Sequence, residues 1–214
     1  VPGASITFDQ MADGSTFTVN NIGDNTVTVS PTATTTYTIA MITDANGCCS
    51  TNTGSAIVTV NPLPTPTITV SETSGTTHHD GILCAGASAT LDAGVYAAWD
   101  WSDMTHLQTI SAAATGTYTV TVTDGNGCKG TDTQVIVVNS NPTPTITETD
   151  NSGTPNDNIL CAGSSATLDA GSGYSSYVWS PSGNTQTLSV SAAGTYTVVV
   201  TDANGCTGTN DQAI

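Results

Sequence analysis

Residues 194–206 read GTYTVVVTDANGC, and residues 116–128 read GTYTVTVTDGNGC. Thr alternates with Tyr or Val in both stretches, except that Val199 replaces one Thr. This is the period of two expected for a β-strand with one buried face. The Asp-x-Asn-Gly that follows is typical of a tight turn between two strands, because Asn and Gly tolerate a positive φ. A fainter copy, TYTIAMITDANGC, lies at 36–48. The sequence therefore predicts the same strand and hairpin in each of three related modules.

The similarity extends from this stretch to whole modules. CAGASATLDAG at 84–94 returns as CAGSSATLDAG at 161–171, and Trp101 returns as Trp179. Self-similarity at a fixed period of roughly 77 residues is typical of an array of like modules. Further alternating stretches and Gly-rich turns predict about seven antiparallel strands in each module, and hence a β-sandwich. The predicted fold class is all-β, in three tandem antiparallel β-sandwich modules.

The repeat also sets the module boundaries. We predict modules at 1–62, 63–140 and 141–214. The first is expected to begin at its second strand, near residues 4–8, and so to lack its first strand. The last strand of the third is expected to be truncated at 212–214. Because open strand edges attract other strands, both places are predicted to pair with other chains. Alternating Pro residues at 62–66 and 142–144 favour short, stiff joints.

The charge balance excludes several classes of partner. Lys and Arg together number 1, against 17 Asp and Glu, which gives a formal net charge of −16. Binding to a phosphate backbone or to an anionic membrane requires a cationic surface. We therefore predict no nucleic-acid partner. No apolar run is long enough to span a bilayer, so we also predict no membrane insertion.

The chain has six cysteines, and four of them lie at equivalent places in modules two and three. In each of these modules one Cys precedes the second strand and the other lies in the last hairpin. The predicted structural disulfides are Cys84–Cys128 and Cys161–Cys206. Such bonds indicate an oxidising compartment. Cys48 and Cys49 have no equivalent partner, and a vicinal bond, a bond to another chain and two free thiols all remain open.

Large side chains at equivalent places are predicted to anchor the cores. They are Trp101, Trp179, Tyr37, Tyr118 and Tyr196. Thr residues that flank Pro in the joints are candidate O-glycan acceptors in a secreted chain. They are Thr65, Thr67, Thr143 and Thr145. The alternative is that Thr at these positions only suits exposed strands.

Oxygen ligands gather near the joint between modules two and three. Glu148, Asp150 and Asn151 lie there, followed by residues 156–158. Because Ca²⁺ prefers such ligands, one interpretation is a calcium ion that stiffens the joint, and the other is ordinary turn chemistry. Elsewhere no nucleophile, base and orienting group assemble in the pattern that nucleophilic catalysis needs. We therefore predict that the chain is not an enzyme and that it has no other cofactor.

The chain resembles the Ig-like and PKD-like repeats of very large secreted surface proteins of Bacteroidetes-type bacteria, including gliding-motility adhesins. The matching pieces are CAGSSATLDAG at 161–171, YVWS at 177–180, AGTYTVVVTDANGC at 193–206 and WDWSD at 99–103. The resemblance extends over nearly the whole chain, and modules two and three carry it most closely. It implies Ig-like or PKD-like sandwiches in an extracellular array, displayed as a stalk, filament or adhesin and without catalysis.

Two functions follow as expectations. The first is a structural repeat protein of an extracellular fibre, filament or adhesin stalk. Its partners would be further copies of the chain or neighbouring repeats of the same polypeptide, joined through strand edges. The second is a glycan-binding accessory module of a secreted multidomain protein, with surface glycans as partners. Both functions place the chain outside the cell, on its surface or in a secreted fibre.

Overall fold

A computed structural model describes residues 5–10, 16–20, 28–44, 46–50, 54–150 and 152–214, with side chains from residue 28 onward. In this part of the chain all regular structure consists of eighteen β-strands, and the predicted all-β class is confirmed. No helix in these residues is long and apolar enough to cross a membrane.

The chain divides into two compact units. The first comprises Val1–Leu63 and Asn126–Cys128, and the second comprises Pro64–Gly125 and Lys129–Ile214. The second unit contains two separate hydrophobic clusters, one within residues 68–138 and one within residues 146–214. Modules two and three therefore keep separate cores inside one unit.

Five strands lie in the described part of module one. They are β1 (Ser5–Gln10), β2 (Thr16–Asn20), β3 (Thr35–Thr43), β4 (Cys49–Ser50) and β5 (Ser55–Val58). They form one sheet in the order β2-β1-β3-β4, and β5 also pairs with β3. All of these pairings are antiparallel. The buried Tyr37 lies on β3.

Module two is a sandwich of seven strands. They are β6 (Thr69–Ser71), β7 (Ile82–Cys84), β8 (Ala89–Asp92), β9 (Ala98–Trp101), β10 (Thr109–Ala112), β11 (Gly116–Thr123) and β12 (Lys129–Asn139). One sheet has the order β10-β8-β6, and the other has the order β7-β12-β11-β9. The pairing of β12 with β7 is parallel and sets Asn139 beside Cys84. The other pairings are antiparallel.

Module three repeats this arrangement with six strands in the described residues. They are β13 (Thr147–Thr149), β14 (Ala166–Asp169), β15 (Ser176–Ser180), β16 (Thr187–Val190), β17 (Thr195–Thr201) and β18 (Thr207–Ala213). The sheets have the orders β13-β14-β16 and β15-β17-β18, and every pairing is antiparallel.

The alternation in the repeated stretch builds the core of both sandwiches. Val120 and Val122 on β11 are fully buried, as are Val198 and Val200 on β17. The residues between them, Thr121 and Val199, face the other side, as a period of two requires. Trp101 and Trp179 are 3% and 2% exposed. Both indoles lie among the buried aliphatic side chains of their own module.

A tyrosine at the start of the next-to-last strand anchors each sandwich. The Tyr118 hydroxyl donates to the carbonyl oxygen of Ala114 at 3.1 Å, and the Tyr196 hydroxyl donates to that of Ala192 at 2.9 Å. A Tyr whose hydroxyl bonds back to the backbone a few residues upstream is the tyrosine corner of Ig-like sandwiches. Both rings are half-buried against their cores.

The Pro-rich joints pack along the last strand of the module that they precede. A Cβ at Gly130 would overlap the carbonyl oxygen of Pro64, and a Cβ at Gly208 would overlap that of Pro142. Only Gly allows this close approach of two backbones. The Thr side chains predicted as glycan acceptors, Thr65, Thr67, Thr143 and Thr145, are all exposed. Glycosylation at these positions stays a prediction.

Module one differs from the expectation that it begins at its second strand with an open edge. Strand β1 pairs with β2 on one side and with β3 on the other, so its two edges are both occupied. In module two the strand beside β11, the counterpart of β3, is β9 rather than β8. The sequence similarity of residues 4–8 to strand β8 led to the wrong strand assignment. An alternation of small and apolar residues is common to all half-buried strands and does not distinguish one from another.

Candidate functional site: the clasp between modules two and three

A loop of module two, Ser74–Cys84, is held in shape by a buried carboxylate. Glu72, 4% exposed, accepts hydrogen bonds from the backbone N–H of Ser74 at 2.7 Å and of Asp80 at 3.4 Å. The Ser74 hydroxyl in turn accepts from the N–H of Cys84 at 3.3 Å. These bonds fix the loop and orient the Cys84 side chain. We call Ser74–Cys84 the receiving loop.

A tight turn of module three, Asp202–Cys206, faces this loop. The Asp202 carboxylate accepts from the N–H groups of Asn204 and Cys206, both at 2.9 Å, and the Asp202 N–H donates to the Cys206 carbonyl at 2.9 Å. An Asp that bonds the backbone two residues on is an Asx turn. This Cys turn therefore has a defined shape of its own.

The receiving loop and the Cys turn are joined covalently. Cys84 forms a disulfide with Cys206, across a sequence separation of 122 residues and with a Cα–Cα distance of 5.4 Å. The Thr76 N–H donates to the carbonyl oxygen of Asn204 at 3.1 Å. Cys206 is 1% exposed, so the bond is shielded from solvent on the side of module three. We call this contact the clasp.

Glycine on both sides allows the clasp to close. Gly75 and Gly205 both have positive φ, 82° and 79°. A Cβ at Gly205 would lie 2.6 Å from the Gly75 carbonyl carbon and 2.7 Å from the Thr76 nitrogen, nearer than atoms can approach. The close backbone contact therefore requires Gly at position 205.

The clasp replaces the disulfides predicted from sequence, Cys84–Cys128 and Cys161–Cys206. Cys84 and Cys128 lie at opposite ends of β12. Cys84 is beside Asn139, the last residue of this strand, and Cys128 directly precedes Lys129, its first residue. The 11 residues of β12 separate its two ends by about 35 Å, far beyond the roughly 7 Å that a disulfide can bridge. A bond within module two is therefore excluded by the length of its last strand.

The remaining cysteines have different surroundings. Cys48, Cys49 and Cys161 are exposed free thiols, so no vicinal bond joins Cys48 to Cys49. Cys128 is half-buried, and its turn is part of the first compact unit.

Among the oxygen ligands proposed for calcium, Asp150 forms a turn. Within the described ranges no group of three or more His, Cys, Asp or Glu side chains could hold a metal ion, and Asn151 lies outside those ranges. Asp150, 3% exposed, accepts from the N–H of Ser152 at 2.6 Å and of Asn156 at 3.1 Å. The Ser152 N–H bond holds the pKa of Asp150 below its usual range. Asp150 thus accepts hydrogen bonds from the backbone of its loop, as Glu72 does in module two.

Glu148 lies next to this turn with buried carboxylate oxygens that have no hydrogen-bond partner among the described residues. Burial, and then the neighbouring Asp150 carboxylate, raise the pKa of Glu148 above its ordinary value of 4.5. A raised pKa of an acid means that the fold favours the protonated form. Its stabilising contribution is present below pH 4.5 and is lost as the pH rises through the raised pKa.

We expect Glu148→Gln to raise the melting temperature of module three at pH 7 and to change it little at pH 4. Gln keeps the shape and removes the buried charge, which opposes folding only at the higher pH. Glu148→Val is a matched control, because Val70 pairs with Leu91 in module two as Glu148 pairs with Leu168 in module three. Two results would show that the carboxylate has a ligand. One is a lower melting temperature of Glu148→Gln than of wild type at pH 7. The other is that added Ca²⁺ stabilises the wild type but not Glu148→Gln.

The Trp and Tyr side chains of modules two and three belong to the cores of their own modules or pack against them. Every Trp and Tyr there is buried or half-buried. The indole N–H groups are bonded within their own modules, with Trp99 donating to the Gly94 carbonyl, Trp101 to that of Leu107 and Trp179 to that of Thr185, each at 2.9 Å. Stacking on a sugar ring needs an exposed aromatic face, and no specific feature here favours the glycan-binding alternative.

Sequence reasoning missed the pairing of Cys84 with Cys206. A signal was present, because the long alternating stretch after Cys128 already predicts a strand that carries the chain far from that residue. The parallel pairing of β7 with the far end of β12 was not visible in any local pattern.

Comparisons with known proteins leave the family open. No family model matches the chain, and no curated protein matches it. Among solved structures, a Ca²⁺-stabilised adhesin with which an Antarctic bacterium binds ice is 17% identical, with a TM-score of 0.41. That match covers 100% of this chain and 64% of the adhesin chain.

Two further solved structures are similar at lower scores. The Bacteroides ovatus protein SGBP-B of a mixed-linkage glucan utilisation locus is 13% identical, with a TM-score of 0.23, over 98% of this chain and 59% of its own. The N-terminal four Ig domains of Dscam1 isoform 4.4 are 13% identical, with a TM-score of 0.22, over 98% of this chain and 65% of the Dscam1 chain. The chain spans less than two thirds of each of these chains. At these scores the likenesses add nothing to the fold described above.

Proposed function

We propose that the chain is a structural repeat segment of an extracellular fibre, filament or adhesin stalk, without catalysis. The clasp carries this proposal. Consecutive modules joined only by a linker are expected to move relative to each other. Here modules two and three share two covalent connections, the linker and the Cys84–Cys206 bond, and one backbone hydrogen bond. A second connection of this kind restricts the motion of one module relative to the other. A stiff stalk requires this restriction, whereas a flexible linker between modules does not.

The chemistry of the clasp supports an extracellular location. Disulfides persist in oxidising compartments and are rare in the cytosol. The formal net charge of −16 keeps copies soluble and apart until a specific contact forms. Neighbouring repeats of the same polypeptide, or further copies of the chain, are the partners that an array of this kind requires.

The proposal predicts that modules two and three tumble as one body in the oxidised protein. Amide ¹⁵N relaxation of the full chain is expected to give the same rotational correlation time for both modules. In the Cys84→Ser/Cys206→Ser variant the two modules are expected to separate in correlation time, because only the linker remains. Independent tumbling in the oxidised wild type would contradict the proposal.

A second measurement tests where the protein is located on or in its cell. Immunogold labelling of intact producing cells is expected to mark structures that project from the surface. Label confined to the cytosol would contradict an extracellular stalk.

A further inference from the structure

We propose that the chain joins head to tail with further copies of itself through a disulfide between Cys161 of one copy and Cys48 of the next. This inference rests on the proposed function, because it names the partner and the contact that extend the fibre. It comes from the clasp. Each half of that contact occurs a second time in the chain, with matching hydrogen bonds and with an exposed thiol.

The first half is a second receiving loop, Ser152–Cys161, in module three. Two of its hydrogen bonds repeat those of Ser74–Cys84, although Cys161 follows Ser152 by 9 residues and Cys84 follows Ser74 by 10. Asp150 accepts from the N–H of Ser152 at 2.6 Å where Glu72 accepts from that of Ser74, and the Ser152 hydroxyl accepts from the N–H of Cys161 at 3.2 Å where Ser74 accepts from that of Cys84. The loop thus holds its shape without a partner in place.

Exposure shows that this second loop is uncovered. Cys84 and Gly75, which contact the Cys turn, are half-buried, whereas their counterparts Cys161 and Gly153 are exposed. Cys161 also borders an open cleft of about 410 Å³ between Ile159 and Ile214. Ile159 is 67% exposed.

The second half is another Cys turn, in module one. Asp44 accepts from the N–H of Asn46 at 2.9 Å and of Cys48 at 2.8 Å, and its own N–H donates to the Cys48 carbonyl at 3.0 Å. Gly47 has a φ of 81°, against 79° for Gly205. These are the bonds of Asp202–Cys206, which sits in the clasp. The Cys48 thiol is free and exposed, whereas Cys206 is buried in its bond.

The clasp therefore identifies the occupant of the uncovered loop. It is an established contact between this type of loop and this type of turn, and one chain carries an unused example of each. A second copy can supply the missing turn, with Thr154 in the role of Thr76 and Gly47 in the role of Gly205. Cys128 is not the candidate, because it is half-buried and its turn belongs to the first unit.

Closing the contact needs an oxidant, which a small-molecule or protein disulfide supplies. The thiolate of Cys161 attacks one sulfur of that disulfide, forming a mixed disulfide and releasing one thiol. The Cys48 thiolate of the next copy then attacks the Cys161 sulfur, forms the Cys48–Cys161 bond and releases the second thiol. Two electrons and the two protons of the protein thiols end on the two released thiols.

Complementary variants test the inference. All chains carry Cys49→Ser and are incubated in a redox buffer of oxidised and reduced glutathione, then separated on non-reducing gels. The Cys49→Ser chain is expected to give a ladder of multimers. Adding either Cys48→Ser or Cys161→Ser is expected to leave monomers. An equal mixture of those two variants is expected to stop at dimers, because only one Cys48 and one Cys161 remain to join.

A conformational control separates a specific contact from random thiol chemistry. Asp44→Ala removes two hydrogen bonds of the Cys turn but leaves the Cys48 thiol, and it is expected to slow multimer formation about tenfold. An unchanged rate would overturn the inference. So would multimers of the Cys48→Ser or Cys161→Ser chain, a mixture without dimers, or a cross-link by peptide mapping at Cys128.

The outcome is separable from that of the proposed function. A chain in which modules two and three tumble together but Cys48 and Cys161 never join overturns this inference alone. Separate tumbling of the two modules overturns the proposed function, whatever the gels show.

Discussion

The Cys84→Ser/Cys206→Ser variant is expected to lose about 5 kcal/mol of unfolding free energy in the second compact unit. The bond closes a loop with a sequence separation of 122 residues, and on the chain-entropy model a loop of this length restricts the unfolded chain by about that amount. Urea titrations that follow the Trp fluorescence of oxidised wild type and variant measure the difference. A loss of this size is a large fraction of the unfolding free energy of an ordinary domain.

The matched control for this variant is Cys161→Ser. Cys161 is exposed and outside the bond, so its replacement is expected to change the unfolding free energy by less than about 0.5 kcal/mol. Peptide mapping without reduction provides a direct check of the bond itself. Recovery of Cys84 linked to Cys128, and of Cys161 linked to Cys206, would return the assignment to the pairing expected within each module.

Trp179→Ala is expected to destabilise module three by about 4 kcal/mol, because it removes the largest side chain of a closed core. Trp179 is 2% exposed, and its indole N–H bonds to the Thr185 carbonyl. Since modules two and three have separate hydrophobic clusters, amide signals of module two are expected to persist while those of module three broaden or vanish. NMR spectra during thermal unfolding measure both effects.

Two further variants keep this prediction testable if Trp179→Ala does not fold. Trp179→Phe keeps an aromatic ring and is expected to lose less stability than the alanine variant. Val178→Ala changes the preceding residue of the same strand, which is 58% exposed, and is expected to stay within about 0.5 kcal/mol of wild type. Simultaneous loss of both modules in Trp179→Phe would indicate one cooperative unit.

Local patterns were sufficient to predict the elements of modules two and three. The alternation at 116–123 and 195–201 determines which Val side chains enter the core, because in a strand successive side chains point to opposite faces. The Asp-x-Asn-Gly turns follow from side-chain hydrogen bonds between near neighbours. Such interactions act over a few residues and are therefore visible in one sequence.

The pairing of the cysteines depends on distant segments and was not predictable in this way. Residues Ile82–Cys84 pair with Val137–Asn139 through a parallel register, more than fifty residues along the chain. The equivalent places of the cysteines in the two repeats predicted Cys84 and Cys128 as partners. The structure rules this out, because the two residues lie at opposite ends of β12. In module one the match to residues 87–91 likewise failed, because it rested on an alternation that does not distinguish one strand of a sheet from another.

The clasp also decides which parts of the molecule would feel a pulling force. Tension that enters before Cys84 and leaves after Cys206 passes through the sulfur–sulfur bond, so the intervening chain bears none of it. That segment, with its separation of 122 residues, would extend to about 400 Å if it were pulled out straight. Strands β8 to β17, which contain most of both cores, lie inside it. Of modules two and three, only short outer segments, among them β6 and β18, remain in the path of the load.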